Sequence, residues 1–560
     1  MNQHEKQNAP VTTGVWEMIN KKIFVPGVII LIIFVASGIL FPKSFLNVLN
    51  VIEGWEMGSA KWIYVLCAVL TSMICLWVLI SSKYGNIKFG GKNAQSTIKK
   101  RTWITISLTG SIAIGICFFG VAGPVQFFLD PPKFLGVQGG TQAAVVPSIM
   151  YSFLHYGLPP YFIVTFAGFA IALMTYNGKR AFRASSTLYP LIGDKCDGII
   201  GNVVDIIMFL SLVIVGTNMG LSVIQLNAGI GNILGNPKLD IQLIIILVYV
   251  VATVFFATSG VHGAMGKLSD TNALLYVFVI LFALLVGPTN RLICLGFEAV
   301  SRFVMNYIPM VGFGDAVMQT GWQNSNTMFY YSWNAMPGLL AAFFYATMAY
   351  GRTLREFIVV NCLVPCAFLV CWYVFVGGSA IFGVMNGSNL PEVIAQYGSG
   401  IATFAFLDTL PFGAITKWVF IVMAVMTFVT WSDAIAFSFP MMFLKETTED
   451  KAENKTPKIL IAGTGIFMGL LTFVLVYVGG YDAMNTSIVC WGLPASLLLC
   501  LMVISCFKFL LHRENYDYTY IEENAEATAM AEAKPTAGSP EPELDPEPAL
   551  AEAVAAESGQ

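Results

Sequence analysis

Long apolar runs with few charges recur along the whole 560-residue chain, and residues 29–40, 243–257 and 273–286 are almost unbroken examples. The sequence is 56% hydrophobic and 11% charged, whereas a soluble domain carries about 25% charged residues. A helix needs roughly 20 apolar residues to cross the hydrocarbon core of a bilayer. Membrane strands would instead show alternating segments of about ten residues. The sequence therefore predicts an all-α polytopic membrane protein.

The apolar runs divide into twelve predicted transmembrane helices. Their approximate spans are 24–41, 62–82, 103–122, 146–175, 201–228, 241–258, 272–288, 327–349, 357–382, 415–440, 458–480 and 488–510. With the N-terminus inside, only seven of the 30 Lys and Arg fall outside: Lys43, Lys61, Lys133, Lys238, Arg291, Arg302 and Lys417. Because loop cations collect on the cytoplasmic side, we expect a multi-pass protein of the plasma (inner) membrane with both termini cytoplasmic.

Two predicted spans carry helix-breaking residues in comparable places. The third contains Gly110, Gly115 and the run 120–124, and the eighth contains Pro337 and Gly338. Five spans separate their starts. Carriers built from inverted repeats place their sites on discontinuous helices in corresponding positions of two halves. The pattern favours repeats formed by spans 3–7 and 8–12, although a packing kink is the alternative for either span.

The chain divides into six predicted regions. Residues 289–326 hold Ile293, Phe297, Val300, Val304 and Tyr307 at helical spacing, which indicates an outer interfacial helix followed by a loop. Residues 514–560 contain twelve acids and a single Lys, too little apolar sequence to offset the cost of ordering. The regions are 1–23 (cytoplasmic segment), 24–102 (two accessory helices), 103–288 (repeat 1), 289–326 (interfacial helix and loop), 327–510 (repeat 2) and 511–560 (disordered acidic cytoplasmic tail).

Several functional classes lack support in the residues. No basic stripe indicates nucleic acid, and no cysteine spacing resembles a metal site, so no cofactor or metal is expected. The four histidines are scattered, which argues against a membrane-embedded enzyme. A channel or membrane sensor stays open as an alternative to a carrier. The expected partners are the lipid bilayer and a small molecule.

Five ordered motifs between residues 24 and 510 closely resemble the betaine/choline/carnitine transporter (BCCT) family. They lie at residues 153–157, at 185–194 with 204–205, at 220–221, at 225–229, and at 350–357. The resemblance implies a LeuT-like fold of two inverted five-helix repeats preceded by two extra helices, often in a homotrimer. It also implies a secondary active transporter for a small quaternary-ammonium or related zwitterionic compound of the betaine, carnitine or choline type.

The family surrounds the quaternary amine with aromatic rings, to which a desolvated cation is attracted. Its eighth-span signature, Trp-Thr-x-x-Tyr-Trp-x-Trp-Trp, matches residues 326–334, where only Trp333 of the four tryptophans remains. The resemblance implies a substrate site drawn from Trp333, Tyr156, Tyr331, Tyr330, Tyr161, Asn334 and Gln126. Gln126 either binds a carboxylate or caps its helix. Asn334 adds amide groups, so a less methylated amine zwitterion of the sarcosine, glycine or taurine type is the alternative substrate.

Sodium-coupled members of the family hold the ion with hydroxyls of a Thr-Ser-Ala-Asp-like stretch in the tenth span. This chain has Thr430, Trp431, Ser432 and Asp433 there, and an indole offers no oxygen to a hard cation. The resemblance thus favours a sodium-independent exchanger. Thr430, Asp433 and Lys267 are the predicted ion or coupling residues; for Asp433 and Lys267 an ordinary structural role is the alternative.

Overall fold

The protein is almost entirely helical in a computed structural model that describes residues 14–111, 113–259, 266–445 and 456–532. Its α-helices are Val15–Met18, Lys21–Leu40, Pro42–Trp55, Lys61–Ile80, Ser82–Gly85, Lys100–Ser111, Ala113–Cys117, Phe119–Leu129, Val145–Tyr156, Leu158–Ala172, Tyr189–Ile192, Ile199–Leu210, Leu212–Ile233, Gln242–Ser259, Gly266–Val286, Thr289–Val311, Phe329–Thr347, Leu354–Ile358, Val364–Trp372, Gly378–Met385, Leu390–Tyr397, Ala402–Asp408, Gly413–Ser438, Lys458–Leu511, Arg513–Tyr516 and Tyr518–Glu532. Extended pairing within these ranges is limited to two isolated bridges, Ile19 with Leu444 and Lys88 with Thr353.

Nine helical segments of the described chain are long and apolar enough to cross a membrane. They are Lys21–Leu40, Pro42–Ile80, Gln142–Asn177, Ile199–Ile233, Gln242–Ser259, Lys267–Val286, Leu354–Met385, Gly413–Phe443 and Lys458–Leu511. A bundle of such helices satisfies its backbone hydrogen bonds internally, as a bilayer requires. The predicted all-α, multi-pass membrane architecture is confirmed.

Predicted spans 11 and 12 are contained in the single segment Lys458–Leu511, which bends at Gly480. Gly480 has φ 56° and ψ −127°, a conformation that a residue with a Cβ rarely adopts. A sharp bend is therefore built from one glycine rather than from a loop.

The third predicted span consists of the helices Lys100–Ser111, Ala113–Cys117 and Phe119–Leu129; the last two meet at the turn residue Phe118, and residue 112 lies outside the described residues. The predicted break in the eighth span is wrong, because the helix Phe329–Thr347 continues through Pro337. Glycine at position 338 has a packing role instead. A Cβ there would lie 3.2 Å from the Cα of Val164, so glycine permits close packing against the helix Leu158–Ala172. The run 120–124 likewise lies inside a continuous helix, Phe119–Leu129, so the break predicted there is also wrong.

The helices differ sharply in position within the bundle. Leu158–Ala172 and Phe329–Thr347 are buried along nearly their whole length and pack against each other. Lys21–Leu40 and Gln242–Ser259 instead expose rows of Ile, Leu and Val, such as Ile33 and Val248. Exposed apolar rows of this length suit contact with lipid. The two buried helices therefore form the centre around which a site is built.

The amphipathic helix Thr289–Val311 follows the seventh predicted span, as expected. The face packed against the bundle and the predicted apolar stripe are different sides of this helix. Leu292, Ala299 and Phe303 are buried, whereas Phe297 and Val304 are exposed. The predicted stripe lies, except for Tyr307, on the outward apolar face of this helix.

Residues 513–532 are helical, so the predicted disorder from residue 511 is wrong for this stretch; residues 533–560 lie outside the described residues. Tyr518–Glu532, the tail helix, begins after the buried carboxylate of Asp517. That carboxylate accepts hydrogen bonds from the Tyr520 N–H (3.2 Å), the Thr519 hydroxyl (2.7 Å) and the Arg513 side chain (2.8 Å). The composition of this stretch indicates too little apolar surface to offset the cost of ordering the chain. The charge-assisted hydrogen bonds to Asp517 supply stabilisation that composition does not reveal.

Five wider, π-helical turns interrupt the regular helices of the described chain. They are Glu56–Ala60, Leu173–Asn177, Asn324–Met328, Val359–Leu363 and Tyr373–Gly377. Such turns insert one extra residue into a helix and often occur near functional sites. One of them, Tyr373–Gly377, contacts Tyr156 and Gly115, two residues of the cavity described next.

Candidate substrate-binding cavity

A cavity lies among the central helices. It is lined by Gly110, Gly115, Tyr156, Pro160, Tyr161, Val164, Asn218, Trp333, Asn334, Pro337, Ala341, Tyr345, Leu369 and Trp431. Four of the seven predicted substrate residues, Tyr156, Tyr161, Trp333 and Asn334, therefore meet at one place. A largely apolar cavity with a few polar groups is typical of small-molecule sites.

The Trp333 indole is fixed at the cavity wall by Asn218. Its N–H donates a hydrogen bond of 2.8 Å to Oδ1 of Asn218, on the helix Leu212–Ile233. Both side chains are buried. Because the ring edge is anchored, a ring face is left for packing or for a ligand.

Tyr156 is held by rings and by a hydroxyl pair. Its ring stacks on Tyr373 with centroids 5.2 Å apart and on Phe119 at 5.4 Å, and its hydroxyl lies 2.5 Å from the hydroxyl of Tyr330. A Cβ on Gly123 would come within 2.8 Å of that hydroxyl, so the glycine makes room for it. Tyr330 thus reaches the cavity through Tyr156 rather than as a wall residue.

His155 belongs to a structural chain behind Tyr330. The Thr327 hydroxyl donates to Oε1 of Gln323 at 2.8 Å, so it accepts a hydrogen bond from Nε2 of His155, 2.9 Å away. The imidazole also stacks on Tyr330, with centroids 4.6 Å apart. This chain orients the Tyr330 ring that supports Tyr156.

The remaining predicted substrate residues take different places. Tyr331 points away from the cavity and donates its hydroxyl to the carbonyl of Val311 at 3.2 Å. Gln126 is exposed and donates to Oδ1 of Asn326 at 3.4 Å. Asn334 lines the cavity, with one amide N–H on the Tyr330 carbonyl at 2.7 Å. An amide has a second N–H and a carbonyl oxygen, which leaves Asn334 able to bind a ligand.

The break in the third span is stabilised by side chains from other helices. Carbonyl oxygens freed by such a break need new partners. The Tyr373 hydroxyl donates to the carbonyl of Gly115, and the Gln225 side chain donates to that of Cys117. Gly110 and Gly115 line the cavity. The turn at Phe118 is therefore held by the same segments that surround the site.

The predicted coupling residues are dispersed. Thr430 is buried and donates its hydroxyl to the Met426 carbonyl at 2.8 Å. Asp433 is fully buried, and neither carboxylate oxygen has a hydrogen-bond partner in the described part of the chain. Lys267 is exposed at the start of its helix. Among the described residues no cluster of three or more His, Cys, Asp and Glu side chains could hold a metal.

Two wall residues, Asn218 and Trp431, were not predicted as substrate residues. The signal for Asn218 is an amide within an apolar membrane helix, a type of residue that is costly there and usually functional. Trp431 was interpreted only as a lost sodium ligand, yet it contributes a fifth aromatic ring to the cavity. The next residue, Ser432, does not line the cavity; its hydroxyl pairs with the Tyr249 hydroxyl at 2.6 Å.

An aromatic cavity enclosed by the central helices of a multi-pass membrane bundle defines the class as a membrane transporter. The family model for betaine/carnitine/choline family transporters (BCCT) matches residues 22–515. The chain belongs to this family, whose members are transporters and not enzymes.

Named relatives agree with this assignment. A glycine betaine transporter of Acinetobacter baylyi is 26% identical over 89% of this chain and 74% of its own length. The glycine betaine transporter OpuD of Bacillus subtilis is 28% identical over 84% of this chain and 91% of its own length. The osmo-independent choline transporter BetT1 of Acinetobacter baylyi is 27% identical over 88% of this chain and 93% of its own length.

Proposed function

We propose that this protein is a secondary active transporter of a small quaternary-ammonium zwitterion or cation of the betaine, carnitine or choline type. The observation that carries the proposal is the convergence of Tyr156, Tyr161, Trp333 and Trp431 on one cavity. A methylated ammonium cannot donate hydrogen bonds but is attracted to aromatic faces, by about 0.5–2 kcal/mol for each desolvated ring. The relatives named as betaine and choline transporters support this substrate class.

Asn334 and the interrupted helix supply the polar side of the site. The Asn334 amide can pair with a carboxylate oxygen or with an N–H group. Asn334 in the cavity wall favours the second candidate, a less methylated amine zwitterion of the sarcosine, glycine or taurine type. Gln126, Tyr330 and Tyr331 then act from outside the wall: Tyr330 positions Tyr156, and the other two support the surrounding helices.

The proposed transport mode is sodium-independent exchange. Trp431 occupies the cavity wall where sodium-coupled relatives are expected to place a hydroxyl, and the Ser432 hydroxyl is engaged by Tyr249. Thr430, Asp433 and Lys267 remain the proposed ion or coupling residues. Among these, Asp433 is a buried carboxylate whose oxygens have no hydrogen-bond partner in the described chain, and a coupling cation is the partner that would neutralise it.

The proposed architecture has twelve membrane helices arranged as two inverted five-helix repeats of the LeuT-like fold, preceded by two accessory helices. The interrupted third span and the buried Phe329–Thr347 helix would supply the two spans missing before the ninth, and Gly480 would divide Lys458–Leu511 into the last two. We place both termini in the cytoplasm and the protein in the plasma (inner) membrane. The exposed apolar face of Thr289–Val311 suits a homotrimer contact.

The deciding experiment is uptake by the purified protein in proteoliposomes, with betaine, carnitine, choline, sarcosine, glycine and taurine as competitors. Saturable uptake that is accelerated by unlabelled substrate inside the vesicles supports an exchanger. Competition ranked by methylation supports the aromatic cage, while stronger competition by sarcosine or glycine supports the second candidate. Ohmic current without saturation would contradict a carrier and support the channel alternative.

A further inference from the structure

A second cavity, which shares no lining residue with the central one, lies between the loop after Ile80 and the tail helix. The segment 81–99, here called the basic loop, joins the helices Lys61–Ile80 and Lys100–Ser111. Its polar lining comes from both sides: Lys83, Asn86, Lys88 and Lys92 from the basic loop, and Arg513, Thr519, Tyr520, Glu523 and Asn524 from the tail. Four cations thus face one carboxylate.

The charges in this cavity do not balance. Lys92 pairs with Glu523, Nζ to Oε2 at 3.4 Å, and Arg513 pairs with the buried Asp517 at 2.7 Å. Within the described ranges, Lys83 and Lys88 form no ion pair: Lys83 lies over the Tyr84 ring, and Lys88 donates only to the Lys92 carbonyl at 3.3 Å. Among the described residues, these two ammonium groups therefore have no carboxylate partner beside the concave polar surface.

The walls of the cavity are held in place before any ligand arrives. The Phe89 N–H donates to the Arg352 carbonyl at 2.9 Å, and the Gly90 N–H donates to Oδ1 of Asn177 at 3.2 Å. The Asn177 amide in turn donates to the Thr519 hydroxyl at 3.1 Å at the start of the tail helix. Gly91, with φ 88°, brings the loop against Thr519. A preorganised site loses little conformational entropy on binding.

The position of the cavity along the helices points to the membrane interface. Trp77, near the end of Lys61–Ile80, stacks on Tyr84 at 4.4 Å and on Phe507 at 4.6 Å. Amphipathic rings of this kind collect at the level of lipid headgroups. Lys83 lies between Trp77 and Tyr84 in the sequence, from which we infer a position near the lipid headgroups.

We propose that this cavity binds a phosphate group, with Lys83 and Lys88 neutralising its charge and Asn86 and Arg513 bordering it. A compact lysine ammonium suits phosphate as a point charge. The phosphodiester of an anionic phospholipid and a soluble phosphate share this chemistry. Occupation would tie the basic loop to the tail helix through one shared anion.

The test measures binding to the purified full-length protein after removal of native lipid. Dioctanoyl phosphatidylglycerol, dioctanoyl phosphatidylcholine and sodium phosphate are titrated at constant ionic strength, with thermal unfolding and native mass spectrometry as readouts. We expect saturable binding of phosphatidylglycerol that is weakened about tenfold or more in Lys83→Gln/Lys88→Gln. Lys99→Gln/Lys195→Gln removes two exposed charges from outside the cavity lining and should bind as the wild type does.

The charge-conserving pair Lys83→Arg/Lys88→Arg should retain binding, which separates loss of charge from loss of fold. Saturable binding of sodium phosphate without binding of either lipid supports the site and assigns a soluble source. Equal binding of phosphatidylcholine and phosphatidylglycerol would overturn the proposal. Undiminished binding to Lys83→Gln/Lys88→Gln, with the unliganded unfolding temperature unchanged, would overturn it as well.

Discussion

The indole N–H of Trp333 and the side-chain oxygen of Asn218 are joined by a buried hydrogen bond of 2.8 Å that crosses from the central helix Phe329–Thr347 to Leu212–Ile233. The bond fixes the rotation of the only tryptophan that this chain retains from the family signature. Asn218 is thus a positioning residue for the ring as well as part of the wall.

We therefore expect Asn218→Leu to weaken substrate binding roughly two- to tenfold, because the bond contributes about 0.5–1.5 kcal/mol. A double-mutant cycle with Trp333→Phe, read out as substrate Kd in detergent, isolates the pair. The two substitutions should be less than additive. Full additivity would show that Asn218 does not act through Trp333.

The rings should carry the affinity for methylated amines. Trp333→Ala and Tyr156→Ala each remove a ring from the cavity wall, and each should raise the Kd for betaine by roughly two- to thirtyfold, from about 0.5–2 kcal/mol per ring. Tyr331→Phe is the matched control, since its hydroxyl contacts Val311 away from the cavity. If both alanine variants stay within twofold of the wild type, the cage is wrong.

Asn334 should control the degree of methylation that the site accepts. Asn334→Trp restores a family ring and removes an amide from the cavity wall. The variant should favour betaine over sarcosine and glycine relative to the wild type, by competition against labelled uptake. An unchanged preference would place Asn334 outside the contact surface of the substrate.

Exchange should persist when potassium replaces sodium on both sides of the vesicle membrane, because an indole supplies no oxygen ligand. Trp431→Ala should weaken substrate affinity without creating a sodium requirement. Initial uptake rates at a series of sodium concentrations provide the measurement. A steep rise of the rate with sodium would argue that other groups coordinate the ion.

Two buried aspartates should differ in their contribution to stability. Asp205 accepts hydrogen bonds from the N–H and hydroxyl of Ser185, at 3.0 and 2.9 Å, whereas Asp433 accepts none in the described chain. Asp205→Ala leaves a buried donor unpaired, which costs about 1–3 kcal/mol. Thermal unfolding in detergent should show a larger loss for Asp205→Ala than for Asp433→Ala; the reverse order would show that Asp433 has a stabilising partner.

The membrane helices can be predicted from the sequence because a long apolar run can form few structures other than a membrane-spanning helix. Whether a single Gly or Pro interrupts its helix cannot be predicted from the sequence. Pro337 is accommodated inside a continuous helix, whereas the third span is interrupted. The difference depends on the neighbours: Tyr373 and Gln225 arrive from distant segments to satisfy the carbonyls freed at the third-span break.

The site was predicted where ring chemistry and family signature coincide, at Trp333 and Tyr156. Asn218 and Trp431 could not be assigned to the wall because the helix faces they occupy are buried on nearly every side, which removes any amphipathic pattern. The tail helix was missed for another reason. Composition counts acids but not the cations of the basic loop, which are distant in sequence and adjacent in space.

The π-helical turn Asn324–Met328 has a consequence for comparing this chain with its relatives. Such a turn accommodates one additional residue while the helix on either side keeps its place. A homologue that lacks it would be one residue shorter at this point, yet its later side chains would superpose on Tyr330 and Trp333. The nine-residue signature starts within the turn, at Asn326, so an ungapped alignment with such a homologue pairs the wrong residues on one side of it. Substrate specificity inferred from aligned letters should therefore be checked against helix geometry, with the gap placed inside the turn.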